Sequence, residues 1–225
     1  MGGVKLMTDY RTETLRCYCC SGNSEHSVLI ASNSFGSLDL DQRPPGMLGS
    51  TIQSWLQECP YCGYVAPSIE EGDASARSFL DTSEFGSASY DPVADPGVRR
   101  FLVRAAYDAY AGDRRSAFLH TVAAAWIADD LKQVAVATEL RLKAAAHLAG
   151  YKARSIDLRL RLLDVLRRAA SWAAGETLIA ELDAEEPEYP FAEIIGFHRD
   201  RIAARDIGRY TIQQALQGKS APKVY

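Results

Sequence analysis

Beyond residue 95, apolar positions recur with a period near 3.6, and that pattern predicts a run of helices. Asp95-Pro96 reads as N-cap and first position, and Val98, Leu102, Ala105, Ala106 and Ala109 mark one face before Gly112. A second helix carries Phe118, Leu119, Val122, Ala123, Trp126 and Ile127. Asp129-Asp130 is read as the start of a third, which runs to Gly150 with Leu131, Val134, Ala135, Leu142, Ala145 and Ala146 on one side. A fourth carries Leu158, Leu162, Val165, Leu166 and Ala169, and further helices are expected around 172–183, 190–204 and 207–217. Short glycine-containing links favour antiparallel neighbours.

Before residue 95 the pattern is different. Residues 1–16 are polar and are expected to be frayed or loosely docked. His26 to Ser32 is a short apolar run that reads as a strand, and Thr51 to Glu58 as a second. Between them, Gly36 and Pro44-Pro45-Gly46 mark a long loop. Residues 67–94 are punctuated by Pro67, Gly72, Gly86 and Pro92 and read as a connector, with one helix over 70–80. The predicted organisation is a zinc-ribbon-like module over 1–66, a connector over 67–94 and a helical repeat-like domain over 95–225. The fold class is mainly α: an antiparallel helical-hairpin, tetratricopeptide-like array or bundle with a small N-terminal β module. Ala106, Tyr110, Ala111 and Gly112 align with Ala144, Leu148, Ala149 and Gly150, an internal echo of the kind helical arrays carry.

The chemistry sits in the cysteines. All five precede residue 63, in Cys17-Tyr18-Cys19-Cys20-Ser21-Gly22 and Cys59-Pro60-Tyr61-Cys62-Gly63-Tyr64. Two Cys-x-x-Cys turns supply the four thiolates of a tetrahedral site, so Cys17, Cys20, Cys59 and Cys62 are the predicted ligands of one structural Zn²⁺. Four sulfurs leave no open position for water, which argues against catalysis at the metal. Knuckle, strand, long loop, strand, knuckle is a zinc-ribbon layout, with thirty-eight residues between Cys20 and Cys59. Cys19 is the extra thiol: a bystander in the simplest reading, otherwise a replacement ligand or a redox-active neighbour.

Other candidates read more plainly. Asp39, Asp41 and Arg43 suggest an Asx-type turn with a local ion pair, and less directly a cation site or acid/base pair. Arg154, Arg161 and Arg168 line one stripe, with Asp157 and Asp164 four residues before the latter two, the arrangement of a solvated face. His26, His120, His147 and His198 are scattered as surface or interhelix residues, and Tyr107, Tyr110 and Trp126 fit helix packing. No phosphate-cradling loop, dinucleotide fingerprint or nucleophile elbow gives a warrant for naming an enzyme.

Charge narrows the partners. Residues 1–94 hold 5 basic and 12 acidic side chains, net −7, while residues 95–225 hold 20 and 17, net +3. An acidic cysteine half argues against nucleic acid. No apolar run suits a membrane span, no secretory leader is visible, and Met1-Gly2-Gly3-Val4-Lys5-Leu6 lacks the hydroxyl residue of a myristoylation signal. A reducing cytoplasm is the expected location.

The run Ser34-Phe35-Gly36-Ser37-Leu38-Asp39-Leu40-Asp41-Gln42-Arg43-Pro44, closing on Trp55 and Cys59-Pro60-Tyr61-Cys62-Gly63-Tyr64, resembles a bacterial family of uncharacterised proteins, the domain of unknown function family 2225. The resemblance implies paired N-terminal cysteines and a tetratricopeptide-like helical tail. Where that family's first pair reads Cys-Pro-x-Cys, this chain has Cys17-Tyr18-Cys19-Cys20, so Cys17, Cys19 and Cys20 all stand as possible ligands there. The resemblance carries no activity. The expected function is a non-catalytic, zinc-stabilised interaction or scaffold module for a protein or peptide partner. The alternative is a thiol- or metal-dependent enzyme or redox sensor using Cys19 with Asp39 and Asp41.

Overall fold

The computed structural model describes residues 8–90, 95–151 and 155–217. Arg154, Pro92 and the Met1–Leu6 start therefore lie outside the described residues. The chain is mainly helical, with two small antiparallel β-hairpins at its N-terminal end.

The first hairpin pairs β1 (Asp9–Arg16) with β2 (Asn23–Ala31), in register from Arg16↔Asn23 outward. This corrects two expectations. The segment before Cys17 is a strand rather than a frayed tail, and β2 finds its partner there rather than in residues 51–58. The 51–58 segment instead forms a 3₁₀ turn over Ile52–Ser54 and only two residues of strand, β3 (Gln57–Glu58), which pairs with β4 (Val65–Ala66). Its buried apolar residues are Ile52 and Leu56. Thr51 and Ile52 are adjacent and both buried, which a strand with one buried face does not give.

The long loop contains a short helix, α1 (Gly46–Ser50). The described residues of 67–94 hold two helices where one was expected: α2 (Ala74–Leu80) and α3 (Ser83–Ser89). Asp73 caps α2 by accepting from the Ala76 N–H at 3.1 Å, and Thr82 caps α3 by accepting from Phe85 at 3.2 Å. Phe85 then meets Phe79 edge-on, with centroids 5.6 Å apart, so the second helix is fixed by a packing partner that the punctuation of the sequence hid.

The body comprises α4 (Pro96–Tyr110), α5 (Arg114–Asp130), α6 (Val134–His147), α7 (Ile156–Arg168), α8 (Trp172–Asp183), α9 (Phe191–Ala203) and α10 (Ile212–Gln217). Each packs on the one before it, and α7 also touches α9. Asp129-Asp130 ends α5 and does not start α6. Carboxylates at a helix C-terminus oppose the dipole. They are held there by Arg141 and Arg168 on Asp129 and by Arg43 on Asp130.

The turns repeat. Gly112, Lys132, Ala170 and Arg205 take φ of +83, +61, +54 and +53. In each case the next N–H donates to the carbonyl five residues back: Asp113 to Asp108, Gln133 to Ala128, Ser171 to Leu166 and Asp206 to Arg201, all at 2.8–2.9 Å. These are Schellman closures, which satisfy carbonyls left over at helix ends. Side chains at Asp95, Asp113 and Ser155 cap the following N-termini.

One apolar cluster runs through both halves, from Leu15, Ile52, Leu56, Val65 and Ile69 to Phe101, Phe118, Leu163 and Ile195. No helix among the described residues is long and apolar enough to cross a membrane.

Candidate metal centre

Each Cys-x-x-Cys lies in the turn of one hairpin. The two turns are built alike. Cys17 N–H donates to the Gly22 carbonyl and Cys59 N–H to that of Tyr64, both at 2.9 Å. Ser21 N–H returns to the Cys17 carbonyl at 2.8 Å, and Gly63 N–H to that of Cys59 at 2.9 Å. The residue after the second cysteine has positive φ in both: +62 at Ser21 and +73 at Gly63. Glycine accepts that conformation without strain, and Ser21 occupies it in the first knuckle. Gly22 has a separate role. A Cβ there would stand 2.6 Å from the Tyr61 ring, whose hydroxyl donates to the Asn23 carbonyl at 3.1 Å. Tyr61 of the second turn thus rests on Gly22 of the first, and the two hairpins interlock.

The sulfurs of Cys17, Cys20, Cys59 and Cys62 all fall within 4.8 Å of one another. Cys17 Sγ is 3.7 Å from Cys62 Sγ, and Cys20 Sγ is 3.6 Å from Cys59 Sγ. Four Zn–S bonds of about 2.3 Å in a tetrahedron give edges of roughly 3.8 Å. A disulfide needs about 2.05 Å, and all five cysteines are free thiols. The four form a site suited to one zinc ion.

Backbone N–H groups face the sulfurs. That of Gly22 points at Cys20 and draws its thiol below the usual range. Those of Cys62 and Tyr61 point at Cys59, and that of Tyr64 at Cys62, although burial still pushes both thiols up. A bound cation supplies the positive charge that makes coordinating thiols ionise, while the amides stabilise the thiolates once formed. Cys19 stands apart from the four-sulfur group. Burial pushes it up to about 12, the opposite of a reactive thiol.

Asp39, Asp41 and Arg43 are not a solvated local turn. All three are buried, and they dock the loop into the helical body. Asp41 Oδ2 accepts from Trp126 Nε1 at 2.7 Å and from Arg168 at 3.0 Å, while its Oδ1 accepts from the Arg43 N–H at 3.3 Å. Arg43 reaches both oxygens of Asp130 at 3.0 and 2.6 Å. Asp39 accepts from Arg209 at 2.6 Å, and burial, reinforced by Asp41, pushes its carboxyl up to about 6. The expected Asp–Arg pair within the loop is thus replaced by pairs to α5, α7 and residue 209. None of the interactions of Asp39 or Asp41 reaches Cys19 among the described residues.

The solvated arginine stripe needs a similar correction. Arg161 does pair with Asp157 at 3.1 Å, as spaced. Arg168 is buried and spans Asp41 and Asp129, whereas Asp164 pairs with Arg167, a fully buried arginine, at 2.7 Å. Trp126 and Tyr107 are helix-packing residues as expected, and Tyr110 lies 5.6 Å from Phe79 by centroids although it is half-exposed. His26 bonds Ser24 at 2.8 Å, and His198 is fully buried.

One constellation escaped the sequence. His120 Nδ1 bonds Asp108 Oδ2 at 2.5 Å, and Arg104 holds the other oxygen of Asp108 at 2.9 Å. Asp108 and His120 are twelve residues apart on different helices, so no local motif signals them.

Comparison with protein-family models, with curated proteins and with solved structures finds no match.

Proposed function

We propose that this chain is a non-enzymatic scaffold for a protein or peptide partner, with its N-terminal hairpins stapled by one structural zinc ion. The observation that supports it best is the closed cluster of four sulfurs, each placed by a knuckle of the same design. Such a site has no position for water or substrate, so the ion contributes folding energy rather than chemistry. Its position against the helical body adds support. Glu58, next to Cys59, meets Arg99 of α4 through two bonds of 2.8 Å, and Arg77 reaches the Tyr18 carbonyl inside the first knuckle at 2.9 Å. The resemblance to family 2225 goes with this reading and adds no activity to it. A cytoplasmic location belongs to the same proposal.

Elemental analysis of purified protein should return one zinc per chain, and Cys59→Ser should return none. Capture experiments should recover a partner with the native chain and lose it with Cys59→Ser. Turnover of a small molecule that follows zinc content would overturn the proposal.

The redox reading has less behind it. It needs Cys19 to work with Asp39 and Asp41, which are engaged by Arg209, Arg168 and Trp126. Cys19→Ser should leave zinc content unchanged and abolish nothing.

A further inference from the structure

A cavity of about 380 Å³ opens where the cysteine half meets the helices, a size within the range of small-molecule sites. Its walls come from both halves. Trp55 and Gln42 precede the second knuckle, Phe101 belongs to α4, His120 and Trp126 to α5, and Arg161 to α7. Most of the lining is apolar or aromatic, and no carboxylate is part of it among the described residues.

The polar groups have atoms left for a ligand. His120 gives Nδ1–H to Asp108, so Nε2 is the ring nitrogen left for a ligand; it has no partner among the described residues, and it donates only when the ring carries its second proton. Arg161 gives Nε to Asp157 at 3.2 Å and one terminal nitrogen to the Gln42 carbonyl oxygen. Its other terminal nitrogen has no partner among the described residues. Gln42 holds a left-handed backbone, φ +66, and its amide bonds Asp157. A non-glycine residue in that conformation is strained unless its surroundings require it; here it carries the side chain to the rim beside Arg161. The counter-charges Asp108 and Asp157 stay outside the lining, so what faces the cavity is one guanidinium and one carboxylate-oriented imidazole.

We infer that this cavity binds a small carboxylate with an aromatic or branched apolar body. The carboxylate would sit on Arg161 and, with the ring doubly protonated, on His120 Nε2–H, and the body between Trp55, Trp126 and Phe101. Fixed donors and a water-poor apolar wall are what such an anion needs to exchange its hydration. The inference is independent of the partner proposed above, because neither the sulfur cluster nor a protein partner enters it.

The test is titration of the purified, zinc-replete protein with 3-phenylpropionate, followed by tryptophan fluorescence and calorimetry. Trp172→Phe serves as background, so that Trp55 and Trp126 report. Saturable quenching is expected, with 3-phenylpropanol binding at least ~10-fold more weakly, the cost of losing a charge-assisted contact. Arg161→Gln and His120→Gln should each weaken the acid by a similar ~10-fold and leave binding of the alcohol unchanged. If either variant fails to fold, Ala123→Leu, which fills the cavity wall, should abolish binding of the acid while both polar groups remain. Equal binding of acid and alcohol, no saturable signal, or binding only of a peptide that ends in the same group would overturn the inference.

Discussion

The two halves of this molecule are ordered by different means. The helical body closes its own turns: four helices end in the same six-residue backbone loop, and buried Leu163, Ile195 and Phe118 fill its centre. The first cysteine hairpin has little of that. β1 buries only Leu15, and β2 buries none of its residues. A two-stranded hairpin with so little apolar cover is marginal in water. Its order rests on four sulfurs, on Tyr61 over Gly22, and on the buried ionic pairs of residues 39–43. The body is stabilised by area removed from water, the first hairpin by a few strong links at defined points. The first kind fails gradually under substitution and the second all at once.

The sharpest way to break that contrast is to remove a metal ligand. Cys59→Ser should abolish zinc binding and disorder both hairpins, because structural zinc contributes on the order of 10 kcal/mol to folds this small. Helical circular dichroism should keep most of its amplitude, while the melting temperature falls by more than about 10 °C. Loss of the helical signal as well would mean that the body does not stand without the module.

Next in size is the ionic link. Asp41→Ala leaves a buried Arg168 short of a partner and the Trp126 N–H with none. Breaking one side of a buried pair costs about 3–5 kcal/mol, and urea unfolding would measure it. By contrast, Asp157→Ala removes a half-exposed carboxylate from Arg161 and should cost no more than about 1 kcal/mol.

A smaller effect depends on pH. Burial, with help from Arg167, lowers His198 from 6.5 to about 3, and neither of its nitrogens has a hydrogen-bond partner among the described residues. The unfolded chain therefore takes this proton first. The associated stability is complete above pH 6.5 and is lost as pH falls toward 3, at about 1.4 kcal/mol per unit. His198→Leu should accordingly gain roughly 2 kcal/mol over the native chain on going from pH 7 to pH 5, as read by denaturant unfolding at both values.

The smallest prediction concerns the turns. Ala170 sits at φ +54, so Ala170→Gly should raise stability by about 0.5–1 kcal/mol, and Gly112→Ala should lower it by a similar amount. Thermal melts of the two single variants would show the opposite signs.

The same contrast governs what could be read from the sequence. The helices were legible because their apolar stripes repeat over twelve or more residues, and the sulfur quartet because its spacing is local. β1 was not legible: Tyr10, Arg11 and Thr12 are all exposed, so the strand has no apolar face to produce alternation. The burial of Asp41 was not legible either, since its partners Trp126 and Arg168 lie 85 and 127 residues away. Asp129-Asp130 misled because acidic pairs ordinarily open helices; here long-range arginines hold them at a closing end.

The loop that bears Asp39 also clasps the far end of the chain. Leu40 N–H reaches the Tyr210 carbonyl at 3.0 Å, and Ile212 N–H reaches that of Leu38 at 2.8 Å. Asp39 and Thr211 form an isolated bridge. An open stack of helices can assemble from either end, each pair settling on the last. Here the loop closes on residues 210–212, so this contact forms only once both segments are present. On a ribosome adding about 5–20 residues per second, residue 39 waits roughly 10–30 s for residue 211 to be made. Asp41 and Arg43 meet Trp126, Asp130 and Arg168 earlier, so the loop is fastened in two stages, and over that interval only its Asp39 end stays open.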